Sequence, residues 1–69
     1  MELFYNEHHI RVSVGEHFPG WVVDLYISYR EGIQNRLATF MLDQIWATYS
    51  EALEAGLATA KHWIDHGKP

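Results

Sequence analysis

Trp21-Val22-Val23-Asp24-Leu25-Tyr26-Ile27-Ser28-Tyr29-Arg30 is the stretch on which the fold turns. Its odd positions, Trp21, Val23, Leu25, Ile27 and Tyr29, are all large and apolar or aromatic. The even ones mix Val22 and Tyr26 with Asp24, Ser28 and Arg30. A period of two in β-branched and aromatic residues predicts a strand with its odd face on the core. Glu31-Gly32 follows, where glycine supplies the positive φ of a hairpin turn. Before it, residues 15–20 hold Gly15, Pro19 and Gly20 and read as a turn.

Working outward, Ile10, Val12 and Val14 alternate with Arg11 and Ser13, which predicts an earlier strand. Phe4-Tyr5 either begins that strand or forms a short one of its own before a turn at Asn6-Glu7. A further strand is expected over residues 34–42. There Ala38, Phe40 and Leu42 share one face and Leu37, Thr39 and Met41 the other. Both faces are partly apolar, so periodicity leaves the register of this strand open.

The C-terminal third predicts a helix. Thr48-Tyr49-Ser50-Glu51 has the form of a capping box, with Thr48 as the N-cap. Glu51 and Glu54 lie near the positive end of the helix dipole, and Lys61, His62 and His66 near the negative end. Tyr49, Leu53, Gly56, Leu57, Ala60, Trp63 and Ile64 form an apolar stripe at spacings of three and four. Glu51, Glu54, Ala58, Lys61 and Asp65 fall outside it. Ala52, Gly56 and Ala60 make a row of small residues, and Gly56 is expected to let the helix backbone approach the sheet. Gly67 and Pro69 are stop signals. Strands followed by a helix give an α+β class: an antiparallel meander of three or four strands with one C-terminal helix packed on one face, as a single domain over residues 1–69.

The run Thr48-Tyr49-Ser50-Glu51-Ala52-Leu53-Glu54-Ala55, continuing through Ala60 to Trp63-Ile64-Asp65, resembles the helix of HicB-type antitoxin domains. It also resembles that of small uncharacterised bacterial β-β-β-α proteins. The resemblance covers about a quarter of the chain and implies a strand meander ahead of the helix. Two departures separate the chain from the HicB pattern. Pro19-Gly20 stands before the second strand, too early, and nothing after the helix reads as a DNA-binding segment.

Composition bounds the function. A chain of 69 residues buries only about 60% of its unfolded surface. With no cysteine it has neither disulfides nor thiolate metal sites to help. Apolar packing and self-association remain. The net charge of −4 disfavours nucleic acid as a partner. The acids Glu2 and Glu7 stand where a signal peptide needs basic residues, and no apolar run reaches the roughly 20 residues of a membrane span. The expectation is a cytoplasmic protein.

Site chemistry is sparse. His62 and His66, four apart on the helix, are the candidate metal ligands, but Trp63-Ile64-Asp65 between them lacks the glutamate of a zinc hydrolase. A third ligand would have to come from His8, His9, His17 or a distant acid. No serine sits on a glycine-rich elbow. So small a chain is also expected to have little room for a pocket of about 300 Å³ beside its core. Neither a catalytic residue nor a cofactor is expected.

Ten aromatic rings are many for one helix on one sheet, and they point to an exposed association surface. Val22 and Tyr26 belong on the uncovered sheet face, with Leu37 and Met41, or Phe40 and Leu42, beside them according to register. Val22, Tyr26, Phe40 and Met41 are thus the candidate interaction residues. The leading expectation is a non-enzymatic protein-interaction domain, homodimeric through its sheet face or an edge strand. An antitoxin-like module that sequesters a partner protein is one alternative, and a small-ligand or metal-binding domain another.

Overall fold

The computed structural model describes residues 1–67; Pro69, read above as a stop signal, lies outside them. Four strands, β1 (Glu2–Tyr5), β2 (His8–His17), β3 (Gly20–Glu31) and β4 (Gln34–Met41), form an antiparallel meander in the order β1-β2-β3-β4. One helix follows, α1 (Tyr49–His62), whose last turn widens to π-helical geometry over Trp63–Gly67.

Each hairpin turn has a local cause. Asn6 and Glu7 both take positive φ, 48° and 62°, as a two-residue type I′ turn requires, which makes Phe4-Tyr5 part of a separate short strand. Gly32, at φ 62°, opens the two-residue turn between β3 and β4. The expected turn over residues 15–20 is much shorter than the glycines suggest. β2 runs on through His17, and only Phe18-Pro19, joined by a cis peptide, lies between the strands. Gly15 is a strand residue opposite Val22, and Gly20 opens β3.

The odd face of β3 does meet the core. Val23, Leu25 and Ile27 are fully buried with Ile10 and Val12 of β2. Thr48 caps α1, its Oγ1 accepting from the Glu51 N–H at 3.1 Å. The line of closest approach on the helix is Ala52, Gly56, Ala60 and Ile64, at spacings of four, with Leu53, Leu57 and Trp63 half-buried beside it. Gly56 lets the backbone down onto the sheet. A Cβ there would stand 2.9 Å from both Val12 Cγ1 and Val23 Cγ1.

Two sizes then decide what stays uncovered. A helix about 10 Å across spans two strands spaced about 4.8 Å apart, and α1 lies over β2 and β3. Its 14 residues with the five of the π-helical turn reach about 28 Å, against about 40 Å for the 12 residues of β3. β4 and the tip of the β3–β4 hairpin therefore project past the helix. The principal extents are 43 × 19 × 17 Å, and the radius of gyration of 12.5 Å exceeds the roughly 11 Å of a compact 69-residue domain.

Candidate functional site

The sheet face away from the helix carries two kinds of side chain. Glu2 and Phe4 of β1, His9, Arg11 and Ser13 of β2, Val22, Asp24, Tyr26 and Ser28 of β3, and Leu37, Thr39 and Met41 of β4 share it. The register of β4 against β3 sets Leu37 opposite Ser28, Thr39 opposite Tyr26 and Met41 opposite Asp24. Of the four interaction candidates, Val22, Tyr26 and Met41 thus lie on this face. Phe40 does not. It pairs with Leu25 on the helix side, half-buried, its ring against Trp63 at a centroid distance of 5.4 Å.

Side chains in the centre and on the β1 side of this face contact one another, although Phe4 remains 79% exposed. Arg11 lies over the Tyr26 ring at 5.5 Å, His9 Nε2 meets Glu2 Oε1 at 2.8 Å, and Phe4 stacks on His9 at 5.1 Å. The β4 side carries two exposed apolar side chains. Leu37 is 64% and Met41 81% exposed, while Ala38, Phe40 and Leu42 on the other face are only half-covered. β4 is therefore partly apolar on both faces and lies beyond the helix.

Beyond Met41 the chain bulges, with the Gln44 N–H donating to the Leu42 carbonyl, and then returns to β3. There Trp46 and Trp21 exchange both backbone hydrogen bonds, at 2.8 and 2.9 Å. Gly20 makes this possible, since a Cβ at that position would run into the Trp46 carbonyl oxygen and stand 2.7 Å from Ile45 Cγ2. Beside the bulge lies a depression of about 500 Å³, lined by the apolar Val22, Met41 and Ile45 and by His17, Asp24 and Asp43. That is more volume than so short a chain was expected to offer, but the depression is open, and His17, Met41, Asp43, Gln44 and Ile45 in its lining are exposed.

His62 and His66 stack at the end of the helix with ring centroids 4.9 Å apart. The other histidines are elsewhere. His8 is buried on the helix side against Tyr29, its Nδ1 2.6 Å from the Asn6 carbonyl oxygen, while His9 meets Glu2 and His17 edges the depression. Among the described residues no three His, Asp or Glu side chains are grouped to hold a metal ion. At the same end, Asp65 accepts from the Tyr5 hydroxyl at 2.7 Å and from Asn6 Nδ2 at 3.2 Å, tying the β1–β2 turn to the helix. Sequence reasoning missed this clamp, because Tyr5 and Asn6 stand about sixty residues from Asp65, and it considered His8 only as a distant metal ligand.

No helix among the described residues is long and apolar enough to cross a membrane. No family model, curated protein or solved structure matches the chain. The likeness to HicB-type domains accordingly rests on the helix sequence alone.

Proposed function

We propose that this chain is a non-enzymatic protein-interaction domain that works as a homodimer. The observation that carries this reading is the incomplete cover of the sheet: α1 lies on β2 and β3, and β4 keeps Leu37 and Met41 exposed on one face and Ala38, Phe40 and Leu42 half-exposed on the other. Surface area points the same way. The chain exposes 4899 Å², against about 4500 Å² for a compact monomer of 8.1 kDa. Apolar surface of this kind favours association, and a domain this small gains stability from it.

Sedimentation equilibrium at tens of micromolar, paired with thermal melts over a range of protein concentration, tests the reading. The expected result is a dimer mass and a melting temperature that rises with concentration, because folding is then linked to assembly. A monomer mass with a concentration-independent melting temperature would overturn it.

A further inference from the structure

We propose that β4 is the pairing edge: two copies join β4 to β4, antiparallel, about a twofold axis through Thr39, giving one continuous eight-stranded sheet. The inference rests on the self-association reading above and names its surface.

The backbone of β4 is available in the right places. The Leu42 N–H donates to the Val23 carbonyl at 3.1 Å, so residue 42 points its backbone groups at β3. Antiparallel strands alternate inward and outward backbone groups. Asn35, Leu37, Thr39 and Met41 therefore present N–H and C=O at the free edge.

This edge also lacks the devices that keep sheet edges apart, which are charge, proline, bulges, covering elements or very short length. Residues 37–41 contain no charge and no proline, and the bulge begins only after them. Arg36 is paired with Glu31 at 3.2 Å. The other edge is guarded. β1 has four residues, and the reciprocal bonds between Met1 and Val12 leave only Glu2 and Phe4 facing outward, one of them charged.

A second copy fits the edge better than its alternatives in register. A twofold axis normal to the sheet keeps each residue opposite one on the same face, so the two residue numbers sum to an even value. Centring on Thr39 sets Leu37 opposite the second copy's Met41 on the open face. On the helix face, small Ala38 meets large Phe40. Thr39 meets its own copy on the axis, a favourable cross-strand pair, and no like charges oppose one another. Centring on Ala38 would set Asn35 against Met41, and centring on Phe40 would set Leu37 against Asp43; both lose the pairing of Leu37 with Met41.

The chain has no cysteine, so single-cysteine variants report cleanly. Thr39→Cys, Ser28→Cys and Phe4→Cys sample the β4 edge, the open face and the β1 edge. Opposed residues in a hydrogen-bonded pair lie about 5.5 Å apart at Cα, within disulfide reach. On mild oxidation Thr39→Cys is expected to give a disulfide-linked dimer and the other two to stay largely unlinked. Thr39→Lys, a substitution at an exposed side chain, is expected to keep native circular dichroism while weakening the dimer about tenfold or more by like-charge opposition on the axis. Given a dimeric wild type, linkage of Ser28→Cys or Phe4→Cys in place of Thr39→Cys, or a Thr39→Lys variant as dimeric as wild type, would overturn β4 pairing and leave self-association standing. A wild-type monomer would overturn both.

Discussion

Gly56 and Val23 are in backbone-to-side-chain contact, so close that any Cβ on Gly56 would stand 2.9 Å from Val23 Cγ1. Val12 Cγ1 closes the other side at the same distance. Both valines are buried and stiff at χ1, so neither yields easily. Gly56→Leu is expected to cost at least about 1–3 kcal/mol by overpacking. Gly56→Ala gains about 1 kcal/mol of helix propensity but must lift the helix, and a smaller net loss is expected. Urea denaturation of the two variants checks this. A stabilised alanine variant would mean the helix rises off the sheet freely.

Trp63 bridges the helix to the strand that the helix does not cover. Its ring packs on Tyr29 at 5.8 Å and on Phe40 at 5.4 Å. Trp63→Ala is expected to cost about 3 kcal/mol, the low end of the range for a buried aromatic because the ring is only half-buried. Phe40 loses its cover in the same step. Thermal melts of the variant should show a large fall in melting temperature; a melt matching wild type would place the ring in solvent.

What was legible in the sequence tracks how one-sided each element is. β3 declares its buried face because Val23, Leu25 and Ile27 lie directly under the helix while Asp24 and Ser28 face water. The helix start was legible because a cap is a local interaction, Thr48 to Glu51. β4 gave no register because it lies past the helix and is partly apolar on both faces. The β2–β3 turn misled because neither glycine belongs to it: Gly15 is a strand residue opposite Val22, and Gly20 opens β3 and admits the Trp46 backbone. Of the interaction candidates, Phe40 moved to the helix side for the same reason that β4 was ambiguous.

The clamp at the helix end carries a pH dependence. Asp65 accepts from the Tyr5 hydroxyl, and this bond, with some burial and the carboxylate's charge, raises the tyrosine above its ordinary value of 10.0. Folding therefore favours the protonated phenol. The stabilisation is complete below the unfolded value and is lost as pH rises through the folded one. Melting temperatures taken from about pH 9 to 11.5 should fall more steeply in wild type than in Tyr5→Phe, which has no phenol to ionise. Parallel profiles would contradict the clamp.

Amide hydrogen exchange followed by NMR reads whether β4 is an open edge that a second copy closes. In wild type at high concentration the outward N–H groups of Leu37, Thr39 and Met41 are expected to be protected, while that of Phe4 at the other edge exchanges fast. Dilution below the dimer dissociation constant should strip protection from those three and spare Leu42, whose N–H is held by Val23. Rapid, concentration-independent exchange at Leu37, Thr39 and Met41 would mean that no second copy closes this edge.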